Sequence, residues 1–518
     1  MPKQQTDHLI QLINSLSGTE KRFFRSFVTR NNPSEDLLFL QLFNFLDKKK
    51  AYDEPQILKK IVGIKKQQLS NLKAHLYKQL LSSLRLQHRH RNQDIELREG
   101  LDYARVLYNK GLYRQALEIL DRTKSRAFQI KENPIALEVI QFEKLIESQY
   151  ITRSIESRAQ ELTEESIELS EKIRHTHLFS NLAIKLYGLY LKVGYVRNQK
   201  EYLFVQNFFN SNLPKVRLQD LDFYEKLYLF QSYSWYHYMQ QDMLAYYKYT
   251  FRWKELFAEV PQMKQLTAPL YLKALHNHLT SLFLLWQHGK FVAALNELEV
   301  FEKGFKSKLE MNEKGLLSLY LYIHRINKHY IEGTFTEGIK LVAPLAKLIR
   351  NQTYNWDIHR AMVFYYKIAC LYFGSGDNKN AIHYLNMIIN ESYSDIREDI
   401  QCFSRILCLV AHFELGNNQL LEYQVKSVYR FLRSRDDLHG VQQEILKFIR
   451  KIPAMGYENL RKEFTDLKSN LEKLKDDPFE KRAFLYFDIV SWLESKLEGI
   501  TVQEVLHQKF LKGEAPFT

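Results

Sequence analysis

The sequence predicts an all-α protein, a right-handed α-solenoid of helical hairpins with a helical N-terminal region and a C-terminal cap. Three observations lead to this prediction. Glycine and proline are scarce, at 18 and 11 of 518 residues, whereas a β-rich fold uses turn residues at every hairpin. Apolar residues recur at helical spacing along most of the chain. A turn motif also recurs at an even interval, which is typical of stacked repeats.

Residues 1–92 are predicted to form a basic region of short helices that precedes the repeats. Thr6 to Leu16 has the apolar spacing of a helix. Ser17 and Glu20 then form a capping box, in which each side chain satisfies a backbone N–H at the start of the next helix. Another helix is expected from Ser34 to Lys50, and two more are expected within residues 54–86.

Residues 93–440 contain the repeats. Each copy has an aromatic-rich helix, a short turn, a hydrophobe two residues on and a small residue five after the turn position. In the clearest copies the turn position and small residue are Gly111 and Ala116, Gly289 and Ala294, and Gly376 and Ala381. Weaker copies centre on Ser154, Gly194, Gln241, Gly333 and Gly416. Glycine tolerates the left-handed backbone that ends a helix, and a small residue lets two helices approach closely.

These junctions resemble those of the tetratricopeptide-repeat (TPR) superfamily. The period of 40 to 48 residues exceeds the 34 residues of that family, and several copies lack the glycine, so helices or connectors must be longer. The resemblance implies hairpins whose first helices line a peptide-binding groove. It places Arg98, Asp102, Arg105 and Asn109 on the groove face of the first repeat, with Lys144 in the next. These side chains could clamp an acidic peptide or a terminal carboxylate, and the alternative is solvated surface charge.

Residues 441–518 are predicted to form a C-terminal helical repeat or cap. One helix is expected from Glu458 to Lys475, ending before Asp476-Asp477-Pro478. A second is expected from Phe479 to Leu497, and its apolar spacing predicts burial of Phe484, Phe487, Val490 and either Trp492 or Leu493.

A possible helix-turn-helix lies at residues 54–86. A short helix, the turn at Gly63 and a longer amphipathic helix follow one another, and Leu69, Leu72, Leu76 and Leu80 share one face of the longer helix. Exposed polar residues there could contact base edges and phosphates. The candidate nucleic-acid contacts are Lys65, Lys66, Gln67, Asn71, Lys78 and Arg85. Ordinary helix packing beneath a basic surface gives the same pattern and remains the alternative.

The charge distribution bears on the kind of partner. The chain has a net charge of +14, and its first 100 residues hold 18 Lys/Arg against 10 Asp/Glu. Such a segment attracts nucleic acid, acidic proteins or anionic lipid surfaces, or is a solvated face that keeps the protein soluble. The aromatic residues between Phe223 and Phe257 could anchor a peptide or stack on bases. At helical spacing they are equally consistent with core packing.

Enzyme motifs are largely missing. The glycines at 333 and 338 are not followed by the Lys-Ser/Thr of a phosphate loop. The His-x-His pairs lie in helical patterns, where a spacing of two points the side chains apart. Cys370, Cys402 and Cys408 sit in apolar patterns, and no secretion signal or membrane span is recognised. We therefore expect a reduced, cytoplasmic protein without catalytic, cofactor or metal residues.

The sequence thus favours a non-enzymatic scaffold or adaptor that binds protein or peptide partners and does not insert into membranes. The alternative is a nucleic-acid-associated regulator, or an RNA-bound factor, that uses the basic N-terminal helices. The oligomeric state stays open.

Overall fold

A computed structural model gives the fold, and it describes residues 8–31, 38–49, 53–61, 63–89, 92–149, 156–391, 398–434, 439–451, 457–480, 484 and 488–514. The described residues form helices, turns and loops without a strand, which confirms the all-α prediction. The chain divides into two compact units, Met1–Glu171 and Lys172–Thr518. Five positions used in the predictions lie outside the described residues, namely Thr6, Ser34, Lys50, Ser154 and Phe487.

The first unit begins with five short to medium helices. They are α1 His8–Ser15, α2 Gly18–Asn31, α3 Leu38–Lys49, α4 Glu54–Lys60 and α5 Lys66–His88. Helix α5 packs on α2 and α3, and α1 packs on α3. Their core includes Phe24, Phe43 and Leu76, all buried. The predicted capping box is present, because the Ser17 N–H donates to Glu20 Oε2 at 2.6 Å and the Glu20 N–H donates to Ser17 Oγ at 3.2 Å.

Longer helices follow in the first unit. They are α6 Gln93–Asn109, α7 Tyr113–Gln129, α8 Asn133–Gln149 and α9 Glu156–Val193, the last of which continues into the second unit. Helix α7 packs against both α6 and α8, and α6 also touches α8. Ala116, the predicted small residue of the first copy, is fully buried. Gly111 has φ +75°, the left-handed conformation that its turn requires.

A buried ion cluster joins α7, α8 and α9 in the first unit. Glu143 Oε2 lies 3.1 Å from Lys124 Nζ and 3.2 Å from Arg158 Nη2, and Lys124 Nζ lies 3.0 Å from Glu165 Oε2. Burial raises the pKa of Glu143, and the charges of Lys124 and Arg158 act in the opposite direction. The adjacent carboxylates Glu164 and Glu165 are predicted from sequence to be solvated surface. In the structure, Glu165 instead forms an ion pair with Lys124.

The second unit continues with consecutive helices, some of them short. Those up to residue 350 are α10 Gln199–Asn212, α11 Phe223–Met239, α12 Met243–Glu259, α13 Met263–Leu266, α14 Ala268–Leu284, α15 His288–Phe305, α16 Met311–Glu332, α17 Phe335–Gly338 and α18 Val342–Arg350. Those after residue 350 are α19 Ile358–Gly374, α20 Asn378–Ile389, α21 Glu398–Glu414, α22 Asn418–Ser434, α23 Gly440–Lys451, α24 Tyr457–Leu474, α25 Ile489–Glu498 and α26 Val502–Lys512.

Packing in the second unit is mostly between helices close in sequence. Helix α12 packs on α11 and α14, α14 packs on α15 and α16, and α20 packs on α19 and α21. From α21 to α24, each helix likewise packs on the next one in the chain. Ala294 and Ala381, the predicted small residues of two copies, are buried at the starts of α15 and α20. Most of these contacts therefore join helices that follow one another closely in the chain.

One predicted turn position is wrong. Gly289 lies within the first turn of α15, and the left-handed residue of that junction is Trp286, with φ +53°. Gln241 takes the same conformation, with φ +59°. A non-glycine residue in this region costs roughly 1–2 kcal/mol, so the surrounding packing must hold both residues in place.

The interval between the predicted junctions at 154 and 194 holds a single helix. The repeat pattern predicts a break between two helices there, but α9 runs without interruption for 38 residues. The segment contains no proline, and its only glycine is Gly188 near the end. Without a residue that stops a helix, propagation continues.

The C-terminal cap differs from the prediction in its boundaries. Instead of one helix from Phe479 to Leu497, α25 begins at Ile489, where Asp488 caps it by accepting a hydrogen bond from the Ser491 N–H at 2.9 Å. Asp is a preferred N-cap because its side chain satisfies a free backbone N–H. Trp492 and Leu493 are both buried, as is Phe484. Helix α24 matches the predicted helix to within one residue at each end.

The last helix packs against a helix that lies much earlier in the chain. Helix α26 contacts α16, about one third of the chain earlier. His507 Nδ1 lies 2.7 Å from the Glu332 carbonyl oxygen, and Gln503 Oε1 accepts hydrogen bonds from the Thr336 N–H and hydroxyl at 2.8 and 3.0 Å. Leu506 is buried in the same cluster as Phe335.

Candidate functional site

All six candidate nucleic-acid residues are exposed on α5 or at its N-cap. They are Lys65, Lys66, Gln67, Asn71, Lys78 and Arg85. Their opposite face carries Leu69, Leu76 and Leu80, which are buried. The exposed Lys66 ammonium lies 3.5 Å from Glu54 Oε1 of α4. The structure thus leaves all six side chains exposed, spread along α5 from its N-cap to its last turn.

The candidate peptide-groove residues separate into two groups. Arg98, Asp102, Arg105 and Asn109 are exposed along one face of α6. Lys144 is half-buried, and its Nζ donates to Ser166 Oγ of α9 at 2.5 Å. The structure therefore does not bring Lys144 together with the other four.

Two arginines of the α6 face have fixed neighbours. Arg98 Nε donates to Asp94 Oδ1 at 3.2 Å, one helical turn earlier. The Arg105 guanidinium carbon lies 5.1 Å from the centre of the Phe142 ring on α8. Val106 is exposed beside them. The face therefore combines positive charge, hydrogen-bonding groups and apolar surface, which is a composition suited to binding a polypeptide.

The aromatic residues between Phe223 and Phe257 divide into two sets. Trp253 and Phe257 are fully buried in the core of the second unit. Trp235, Tyr238 and Tyr246 instead line a cavity. The core interpretation therefore describes one part of this segment, and another part lines the cavity.

This cavity lies in the second unit and has a volume of about 430 Å³. Helices α11, α14, α16 and α19 line it, together with the C-terminal part of α9. Phe484, Asp488, Val502 and Leu506 of the C-terminal segment complete the wall. Cavities of this size usually hold small organic molecules or single side chains.

Aromatic rings form much of the wall. Trp235 lies with its ring centre 5.0 Å from Tyr187 and 5.1 Å from Tyr190. Tyr238 lies 4.9 Å from Tyr195 and 4.9 Å from Tyr246. Such tilted contacts hold the aromatic rings against one another, so the cavity wall is a packed aromatic cluster.

A smaller polar group faces the same cavity. Lys367 Nζ donates to Asn327 Oδ1 at 2.6 Å and lies 5.2 Å from the centre of the Tyr330 ring. Asn277 accepts a hydrogen bond from the Tyr246 hydroxyl at 3.1 Å. These residues come from four helices, α12, α14, α16 and α19, so the fold gathers them from distant parts of the sequence.

The titratable groups at the wall are largely neutral. Burial, together with the charges of Lys367 and Lys273, lowers the pKa of His276 to about 3. His276 Nδ1 lies 2.9 Å from His324 Nε2, so one ring donates a hydrogen bond to the other. Burial raises the pKa of the Cys370 thiol to about 12. A protonated thiol is a weak nucleophile, and the cavity is therefore better suited to binding than to covalent chemistry.

Sequence reasoning missed most of this cavity. The aromatic segment was a usable signal for Trp235, Tyr238 and Tyr246, but nothing local marked Lys367 or Asn327 as partners. The two side chains of the His-x-His pair at 276 and 278 point apart, as their spacing on a helix predicts. His276 pairs with His324, whereas the ring of His278 stacks 5.6 Å from Tyr247.

Neither a metal-holding cluster nor a membrane-spanning helix is found among the residues that the structure describes. No group of three or more His, Cys, Asp or Glu side chains in that part of the chain is placed to hold a metal ion. None of the helices described there is both long and apolar enough to cross a bilayer.

Comparison with known proteins gives no relative on which to base a function. No family model matches the sequence, and a search of curated proteins finds no significant match. The function of the protein must therefore be inferred from the geometry of the chain itself.

Proposed function

We propose that the protein is a TPR-like, right-handed α-solenoid that acts as a non-enzymatic scaffold and binds protein or peptide partners. The observation that carries the proposal is the exposed face of α6, where Arg98, Asp102, Arg105 and Asn109 lie side by side. Packing between successive hairpins supports the solenoid. A preformed helical face binds a partner with little loss of backbone entropy, which is how such scaffolds obtain affinity.

The double substitution Arg98→Ala with Arg105→Ala should remove partner binding through this face. Charge-assisted hydrogen bonds from arginine contribute about 1.5–3 kcal/mol each, so we expect affinity to fall at least tenfold, an order-of-magnitude figure. The measurement is quantitative affinity purification from nuclease-treated native lysate, followed by titration of each recovered partner.

The matched control is Arg114→Ala with Arg122→Ala, which removes the same charge from exposed positions on α7. Partners that bind the control as tightly as the wild type but lose the α6 variant support the proposal. Equal binding to both variants would move the partner site elsewhere.

Nucleic-acid binding by the basic region is a second candidate function. It is favoured by the six exposed candidate residues of α5 and by the 12 Lys/Arg against 2 Asp/Glu between residues 48 and 91. A protein that neutralises phosphates releases counterions, so its affinity falls steeply as salt increases.

Reversing Lys65, Lys66, Lys78 and Arg85 to glutamate should abolish such binding and flatten its salt dependence. Fluorescence anisotropy with labelled duplex DNA and single-stranded RNA, between about 50 and 200 mM salt, measures both effects. The control reverses four exposed basic residues outside α5, namely Lys110, Arg114, Arg122 and Arg126. If the wild type binds neither probe at low salt, or if the α5 variant binds normally, this second function is excluded.

A further inference from the structure

The break between α16 and α17 presents backbone groups that α26 satisfies. A helix leaves its last carbonyls and its first N–H groups without partners inside the helix. His507 Nδ1 donates to the Glu332 carbonyl oxygen at the end of α16, at 2.7 Å. Gln503 Oε1 accepts hydrogen bonds from the N–H and the hydroxyl of Thr336 in α17, at 2.8 and 3.0 Å. One helix therefore supplies a donor to α16 and an acceptor to α17.

The same helix packs apolar side chains beside these hydrogen bonds. Leu506 is buried in the cluster that contains Phe335 of α17, and Val502 packs against that cluster. The centre of the Phe510 ring lies 4.8 Å from that of His288, at the start of α15. Val502, Leu506 and Phe510 are four residues apart, so they share one face of α26. The surface formed by α15, α16 and α17 thus holds one face of an amphipathic helix.

Gly333 makes this close approach possible. It ends α16 with a left-handed backbone, φ +61°. A Cβ atom there would lie 2.4 Å from the His507 backbone nitrogen, which is closer than non-bonded atoms approach. Because position 333 is glycine, the surface admits the backbone of a helix as well as its side chains.

Few contacts hold α26 on this surface. The helix has 11 residues, of which Val505 and Leu506 are buried, and Leu511 is 70% exposed. A helix of this length is barely stable alone in water, and elements with few buried residues open more readily than a core. Helix α25 has buried residues of its own and ends at Gly499, with a left-handed φ of +72°. Release of α26 from α16 therefore does not require α25 to leave its place.

We infer that α26 is an intramolecular ligand of this surface, and that a partner helix with the same chemistry displaces it. Such a helix carries two aliphatic side chains four residues apart and an aromatic ring four residues further on. The residue after the first aliphatic side chain supplies an amide oxygen, and the residue after the second supplies an imidazole N–H. The surface belongs to the second unit, and the inference is independent of the partner-binding face proposed on α6.

The test uses a fluorescein-labelled peptide of residues 499–514 and the full-length protein, with binding measured by fluorescence anisotropy. In the wild type the peptide competes with α26, so its apparent affinity is reduced by the fraction of molecules in which the surface is free. Leu506→Ala with Phe510→Ala in the protein weakens its own α26 and leaves the surface unchanged. We expect this weakened variant to bind the peptide at least about tenfold more tightly than the wild type does. Leu511→Ala with Lys512→Ala, at exposed positions of the same helix, should bind as the wild type does.

Further substitutions locate the bound peptide. Adding Gly333→Ala to the weakened variant should abolish binding, because the methyl group would meet the backbone of any helix seated there. Adding Gly376→Ala instead should leave binding intact, because a Cβ at that glycine would meet no atom within 4 Å. A peptide with Gln503→Ala and His507→Ala should bind at least about tenfold more weakly, since it lacks the acceptor and the donor. The inference is overturned if the weakened variant binds the peptide no more tightly than the wild type, or if Gly333→Ala leaves binding intact.

Hydrogen exchange of the wild type decides the matter if the weakened variant does not fold. The amides of α26 should exchange before those of α16, because α26 opens while α16 stays folded. Exchange of both helices at the same rate would make α26 a permanent part of the core and would overturn the inference.

Discussion

Replacing Gly333 by alanine should destabilise the second unit by about 3 kcal/mol, estimated from the left-handed backbone and from overpacking. Gly333 has φ +61°, and a Cβ atom there would lie 2.4 Å from the His507 backbone nitrogen. The obstruction is backbone, so no side-chain rotation can relieve it. Helix α26 must shift away from α16 to accommodate the methyl group.

Urea denaturation of the full-length variant measures the loss of unfolding free energy. Gly376→Ala is a matched control, because Gly376 also has a left-handed backbone, with φ +88°, but a Cβ there would meet no atom within 4 Å. The control should lose only about 1–2 kcal/mol, the backbone contribution. Gly333→Ala should additionally speed hydrogen exchange in α26. Equal losses for the two variants would mean that the contact with His507 contributes nothing.

The contrast between these two glycines also shows which parts of the fold can be predicted from sequence. A glycine before a helix of apolar periodicity is a local signal, and the turns at Gly111 and Gly376 follow from it. The left-handed position of the junction predicted at Gly289 could not be found this way. It is Trp286, with φ +53°, and a bulky residue carries no local preference for that conformation.

The cavity was less accessible to prediction for a related reason. Its aromatic residues recur at helical spacing, and the same spacing is expected whether the rings fill a core or line a cavity. A core and a cavity differ here through the packing of α26 on α16, which places Val502 and Leu506 in the cavity wall. That contact joins residues far apart in the chain, and no periodicity encodes it. Lys367 likewise has neighbours from α14 and α16, which carry Phe283 and Asn327.

The buried charges give a third example. A carboxylate pair on a helix is usually solvated surface, and Glu165 was predicted to be so. Its contact with Lys124, at 3.0 Å, depends on how α7 and α9 pack. Sequence alone gave no sign that Glu143, in the apolar pattern of α8, is fully buried between Lys124 and Arg158.

Lys124→Met should therefore destabilise the first unit by about 3 kcal/mol, the lower end of what breaking a buried ion pair costs. The variant leaves Glu143 buried without the charge of Lys124, and the energy of desolvating its carboxylate is no longer fully offset. Urea denaturation again provides the measurement. Lys66→Met is the matched control, since its ion pair with Glu54 is at the surface, with 80% of the lysine side chain exposed. Its loss should be below about 1 kcal/mol.

A second substitution separates lost charge pairing from lost packing. In Lys124→Met with Glu143→Leu, the fully buried carboxylate of Glu143 is removed as well, and two apolar side chains occupy the space between α7 and α8. Replacing both partners of a buried pair by apolar groups is often neutral or stabilising, so most of the stability lost in Lys124→Met should return. If the double variant is less stable than the single one, then the packing of Glu143 matters more than its charge. The ion cluster would in that case be needed to set the spacing of α7, α8 and α9.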